Sequence, residues 1–144
     1  MSEVRRTRPE DYLAAIDRIC KDQDRGIADT GAIASTGAIA MAVGVSKGTV
    51  SAVLKELAEA GLVEHVRYRG AKLTETGRQK TRRTLRRCRL IELFLSQTLN
   101  VAPEVVADDA RQLEPAISER LIEQIDRVLG HPATDVHDPS RSPC

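Results

Sequence analysis

The run TGAIAMAVGVSKGTVSAVLKELAEAGLVEHVRYRGAKLTETG, Thr36 to Gly77, constrains the fold of this chain more than any other stretch. Ile39, Ala40 and Val43 mark a short helix, and Gly44 ends it because glycine enters the left-handed conformation without a Cβ clash. Ser46 then offers a side-chain oxygen to the free amides of a second helix. In that helix Val50, Val53, Leu54 and Leu57 recur at helical spacing, while Lys47, Thr49, Ser51 and Lys55 fall on other faces. Gly61 closes it. LVEHV and AKLT frame RYRG, which reads as a basic hairpin with Gly70 at the bend. Helix, tight turn, capped helix and basic hairpin make a winged helix-turn-helix.

Such a motif can place the N-terminal turns of its second helix in the major groove, where short polar side chains approach base edges closely. Ser46, Lys47, Thr49, Ser51 and Lys55 are therefore candidate contacts to bases or phosphates. Arg67, Arg69 and Lys72 of the wing are candidates for the DNA backbone or minor groove. Some winged helices bind protein instead. Here the second helix has no acid in its first two turns and the wing is basic, which favours DNA.

Ahead of the motif, Pro9, Glu10 and Asp11 suit a first helical turn, and Tyr12, Leu13, Ile16, Ile19 and Cys20 form one apolar face. This predicts a first helix to about Cys20. KDQDRGIADTGAIASTG then reads as a loop with room for a short helix. After the motif, Thr74 or Thr76 starts a long helix, basic in its first half. Its second half, with Leu90, Ile91, Leu93, Phe94, Leu95 and Leu99, is apolar nearly all round and must be buried. Pro103 opens a helix to about Leu113, and Ser118 caps a last one, Glu119 to Leu129, stopped by Gly130 with Pro132 beyond.

With Trp 0, Phe 1 and Tyr 2 in 144 residues, the interior is left to Leu, Ile, Val and Ala, which suits packed helices. Helices this apolar in so small a domain point to a shared interface between two subunits. The expected fold class is mainly α: a winged helix-turn-helix DNA-binding domain over 1–75, an all-helical dimerisation domain over 76–130, and a flexible tail over 131–144. No apolar run approaches the roughly 20 residues that cross a bilayer, so no membrane is expected as a partner and the expected location is cytoplasmic. Cys20, Cys88 and Cys144 are odd in number and lack CxxC spacing, which argues against a disulfide framework or a closed zinc site.

The net charge of +1 hides an uneven distribution: residues 1–64 carry 8 basic and 10 acidic groups, residues 65–102 carry 10 and 2, and residues 103–144 carry 4 and 9. The run RQKTRRTLRRCR can therefore meet a polyanion, or be a solvated helix face, while the acidic end avoids the polyanion or pairs with cations. Enzyme chemistry has no support in the motifs. GxSxG, a phosphate-binding glycine loop and HExxH are all missing, and the only imidazoles are His65, His131 and His137.

Four stretches, EDYLAAI, IAMAVGVSKGTVSAVLKELAEAGLVEHVRYRGAKLTETG, RRCRLIELFL and LEPAISERLIEQIDRVLGHP, resemble in order and spacing the diphtheria toxin repressor and manganese transport regulator family of metal-dependent repressors. The resemblance implies a homodimer on a palindromic double-stranded operator, metal sites formed by the first helix and the helices after the wing, and no SH3-like third domain. It also locates the family's ligand positions. The first falls on Asp11, but the acid one turn later in manganese regulators falls on Ala14. The histidine of the long helix falls on Cys88, with the following glutamate kept as Glu92. In the next helix a histidine position falls on Ala107, the central cysteine or glutamate on Arg111 and the last histidine on Pro115, leaving Glu114.

Three readings follow. A divalent Mn, Fe or Zn ion can occupy a reduced site of Asp11, Cys88, Glu92 and Glu114. Alternatively Arg111, which would repel such an ion, stands in for it as a tethered cation that pairs with Glu114 and with Asp11 or Glu92. In the third, Cys88, flanked by arginines in RRCR, serves a redox or small-effector sensor.

Overall fold

The computed structural model describes residues 7–23 and 31–132; the expected tail, with His137 and Cys144, lies almost wholly outside the described residues. Helix α1 (Pro9–Gln23), α2 (Thr36–Val43) and α3 (Lys47–Glu59) are followed by strands β1 (Val63–Val66) and β2 (Gly70–Leu73). Then come α4 (Glu75–Thr98), α5 (Pro103–Leu113), a 3-10 turn (Glu114–Ala116) and α6 (Glu119–Val128). The chain divides into two compact units between Thr81 and Arg82, inside α4.

The first unit shows why its sequence punctuation matters. Ser35 and Ser46 cap α2 and α3, each accepting the amide three residues on, and Gly44 takes φ 83° between them. The chain turns through 103° from α2 to α3, as in other helix-turn-helix pairs. Tyr12, Leu13 and Ile16 of α1, Ile39 and Ala40 of α2, and Val50, Leu54 and Leu57 of α3 share one core with Leu62, Val63, Ala71 and Leu73 of the hairpin. Burial pushes the Tyr12 phenol above its ordinary pKa, with the neighbouring Asp11 charge adding to the shift.

The hairpin is antiparallel with Glu64 opposite Lys72 and Val66 opposite Gly70. Its tip differs from the expectation. The left-handed turn residue is Tyr68, at φ 67°, and Gly70 is the first residue of β2. Glycine is required at position 70 for a different reason: a Cβ there would lie 1.9 Å from the Ala34 carbonyl oxygen. Ala34 and Ala71 exchange both backbone hydrogen bonds, at 2.9 and 3.0 Å, so the segment read from sequence as a loop lends the hairpin a one-residue third strand. Gly77 has a similar duty in α4, since a Cβ there would lie 1.9 Å from the Leu62 carbonyl oxygen. Thr74 caps that helix, its hydroxyl donating to Gly61 O at 2.7 Å and accepting from Gly77 N at 3.0 Å. These contacts hold the first turns of α4 in the first unit.

In the second unit Leu90, Ile91 and Leu95 of α4 pack with Ala110 of α5 and with Ile122 and Ile125 of α6. Pro103 opens α5 and Ser118 caps α6 by accepting the Leu121 amide at 3.2 Å, as the sequence predicts. Full burial of the second half of α4 does not hold for Leu99, which is 59% exposed: the helix stops at Thr98 and the chain turns away at Asn100, φ 53°. Leu121 and Val128 of α6 and Val105 and Leu113 of α5 also face out.

Candidate nucleic-acid interface and the metal-ligand positions

The outer face of α3 carries Lys47, Gly48, Thr49, Ser51, Ala52 and Lys55, all exposed and none acidic. Ser46 is partly committed to its helix, because its Oγ accepts from Thr49 N at 3.2 Å and lies 3.0 Å from Thr49 Oγ1. The longer-reaching polar groups on this face are Lys47 and Lys55, with the short hydroxyl of Ser51 between them in sequence. Gly48 and Ala52 escaped the sequence reading, which sought polar residues only. Both are small and exposed, which makes them candidates for close approach of a groove wall.

On the wing, Arg67 and Arg69 are exposed. Lys72 is half-buried, with its ammonium 3.5 Å from Glu64 across the strand pair. Tyr68, between the two arginines, is 90% exposed, and the Arg67 guanidinium sits 4.9 Å from its ring centroid. The signal for Tyr68 was the RYRG turn itself, in which the only aromatic side chain occupies the tip.

Packing resolves the charge asymmetry of the sequence. Within the first unit, Lys80 lies 3.8 Å from Glu10 and Arg78 lies 3.0 Å from Glu75. Within the second, Arg83 reaches Glu119 at 2.6 Å, Arg86 reaches Asp126 at 3.6 Å and Arg89 reaches Glu92 at 3.1 Å. The basic run of α4 is thus met largely by the chain's own carboxylates, which leaves α3 and the wing as the better candidates for a polyanion.

Arg87 is the residue that sequence reasoning missed. It is buried, and its Nε donates to Glu114 Oε1 at 2.8 Å while Nη2 donates to Glu114 O at 2.8 Å. Nη2 also donates to Ile117 O, and Nη1 to Glu119 Oε1. One guanidinium therefore ties α4 to the 3-10 turn and to the start of α6. Hydrogen bonding from Arg83 holds the Glu119 carboxyl below its ordinary range, with Arg87 adding to the effect.

The metal-ligand positions have separate engagements. Asp11 Oδ2 accepts the Arg8 amide at 2.7 Å, a helix-start contact. Glu92 accepts from Arg89, and Glu114 from Arg87. Cys88 is buried, at 2% exposed. Arg111 stands half-buried in the last turn of α5, and Pro115 lies in the 3-10 turn.

Two family models match, and together they span nearly the whole chain: the iron dependent repressor N-terminal DNA binding domain over residues 6–71, and the iron dependent repressor metal binding and dimerisation domain over residues 74–142. The chain belongs to the iron-dependent repressor family. Among curated relatives of this repressor-family chain, the transcriptional regulator MntR of Escherichia coli O6:H1 is 36% identical over 85 residues, 59% of this chain and 54% of its own length. An uncharacterised HTH-type transcriptional regulator of Methanocaldococcus jannaschii is 28% identical over 116 residues, covering 81% of this chain and 87% of its own. Among solved structures, the manganese regulator SloR superposes with TM-score 0.73 at 30% identity, over 89% of this chain and 56% of that one. A manganese-dependent transcriptional repressor in complex with manganese gives 0.70 at 37%, over 87% and 54%. The chain thus spans about half the length of the first of these relatives.

Among the described residues, no group of three or more His, Cys, Asp or Glu side chains stands close enough to hold a metal ion. A cation site needs converging anionic or neutral donors, whereas Glu114 and Glu92 each converge on a guanidinium.

Proposed function

We propose that this chain acts as a cytoplasmic, homodimeric transcriptional repressor that binds a palindromic duplex operator, and that its binding does not depend on a metal ion. The exposed, acid-free N-terminal face of α3 supports the DNA reading: it enters the major groove with Lys47, Thr49, Ser51 and Lys55 at bases and phosphates, Ser46 holding the helix start. Arg67 and Arg69 take the backbone. Two copies joined through the helices after the wing read two half-sites about one helical turn, roughly 34–36 Å, apart. The outward Leu121, Val128, Val105 and Leu113 are the apolar surface such a joint needs.

Metal independence is carried by one observation, the buried Arg87 guanidinium on Glu114. A tethered cation already holds the carboxylate that would have been a ligand, and Arg111, close by in sequence, adds positive charge where an ion would otherwise bind. A metal-responsive reading, with Asp11, Cys88, Glu92 and Glu114 rearranged around an ion, draws support from the relative whose structure contains manganese.

Duplexes selected from a random pool by the full chain distinguish the two. Protein stripped with chelator should bind them within about tenfold of protein supplied with Mn²⁺, Fe²⁺ or Zn²⁺, a difference below about 1.4 kcal/mol. Arg111→Ala should lower affinity. Strong activation by metal, with no effect of Arg111→Ala, would establish the reduced site instead.

A further inference from the structure

Tyr68 combines two properties that nothing among the described residues explains. Its backbone is left-handed at φ 67°, in a turn closed by the Arg69 amide donating to Val66 O at 3.0 Å. Turns that need a positive φ at their third residue usually put glycine or asparagine there, because a Cβ is strained in that conformation. The side chain kept against that strain is 90% exposed and so contributes little to the core. What it does contact is Arg67, whose guanidinium lies 4.9 Å from the ring centroid. Backbone strain held at an exposed tip between two exposed arginines marks a contact made outside the chain.

We propose that Tyr68 is a positioning and contact residue of the wing: its ring holds the Arg67 guanidinium for the sugar–phosphate backbone beside the minor groove and itself packs on the deoxyribose there. The inference rests on the reading of the chain as a duplex-DNA binder. An unstacked arginine samples many rotamers and must lose that freedom on binding. Stacking on an aromatic face removes part of the loss beforehand and leaves the N–H groups of the guanidinium edge directed outward. The ring adds an apolar surface that suits a sugar and carries no base preference, so the effect is on affinity across sequences.

The test uses the full chain and duplexes that the unmutated protein selects from a random pool. Tyr68→Asn relieves the backbone strain and removes the ring, so it should melt no lower than the unmutated protein yet bind about fivefold more weakly. Tyr68→Phe keeps the ring and should keep the affinity. In an Arg67→Ala background, Tyr68→Asn should lose most of its effect, because the positioned group is gone. Asparagine binding as tightly as tyrosine overturns the proposal. Phenylalanine failing as badly as asparagine, or equal losses with and without Arg67, overturns the stacking role. If the unmutated chain selects no duplex at all, the DNA reading fails, and this inference with it.

Discussion

Arg87 Nε lies 2.8 Å from Glu114 Oε1, with both side chains about nine-tenths buried and 27 residues apart in the chain. Burying two charges is costly unless the remaining donors are satisfied, and here the guanidinium also bonds Glu114 O, Ile117 O and Glu119. The pair therefore fixes the corner between α4, the 3-10 turn and α6. Arg87→Ala leaves the Glu114 carboxylate buried without its guanidinium and should destabilise the chain by about 3–5 kcal/mol in urea unfolding. Replacing the pair with apolar residues of similar volume, Arg87→Met with Glu114→Leu, should recover most of that loss. A single-mutant effect below about 1 kcal/mol would show that the corner is held by packing alone.

A second prediction concerns backbone approach. Gly70→Ala puts a methyl 1.9 Å from the Ala34 carbonyl oxygen, and Gly77→Ala puts one 1.9 Å from that of Leu62. Neither oxygen is the far end of a flexible side chain, so the backbone must move. Each substitution should lower the midpoint of thermal unfolding more than Gly48→Ala, where a Cβ would meet nothing closer than Ser46 Oγ at 3.9 Å. If all three variants melt together, the close approaches do not constrain the fold.

The contrast between these glycines shows what the sequence makes legible. Local signals carried through: Ser46 and Ser118 as caps, Gly44 as a left-handed stop and Pro103 as a helix start all act within a few residues of themselves. Gly70 looks from sequence like the bend of the hairpin and Gly77 carries no mark at all, because each is required by a carbonyl from a distant segment. Arg87 was hidden in the same way. RRTLRRCR offers five arginines with no local mark to say which is buried, and the choice depends on where Glu114 and Glu119 fold back.

The acid limb of stability provides a third prediction. The folded Glu119 carboxyl is held below its ordinary pKa of 4.5 by hydrogen bonds from Arg83 first and Arg87 next. A group with a depressed folded pKa stabilises the fold above its unfolded pKa and loses that contribution as pH falls through the folded value. Glu119→Gln should therefore reduce stability at pH 7, and the difference from the unmutated protein should shrink below about pH 4.5. A gap that stays constant from pH 7 to pH 3 would mean that the carboxylate charge contributes nothing.

The last prediction separates the groups that hold DNA from those that read it. Phosphate contacts release counterions, so each one lost flattens the dependence of log affinity on log salt by about one unit and weakens all sequences alike. Arg67→Ala and Arg69→Ala, at exposed wing positions, should behave in that way. Lys72→Ala should do so less, since its ammonium already lies 3.5 Å from Glu64. Thr49→Val and Ser51→Ala instead alter the α3 face that meets base edges, and should change preference between selected and random duplexes at nearly constant salt slope. Thr49→Val carries a second consequence, because it removes the hydroxyl 3.0 Å from Ser46 Oγ while leaving the backbone cap in place. Its helix should stay folded, which circular dichroism can check alongside the binding. If wing and helix variants lose affinity equally on random and selected DNA, and the salt slope moves with both, α3 does not read bases and the assignment of the two surfaces is wrong.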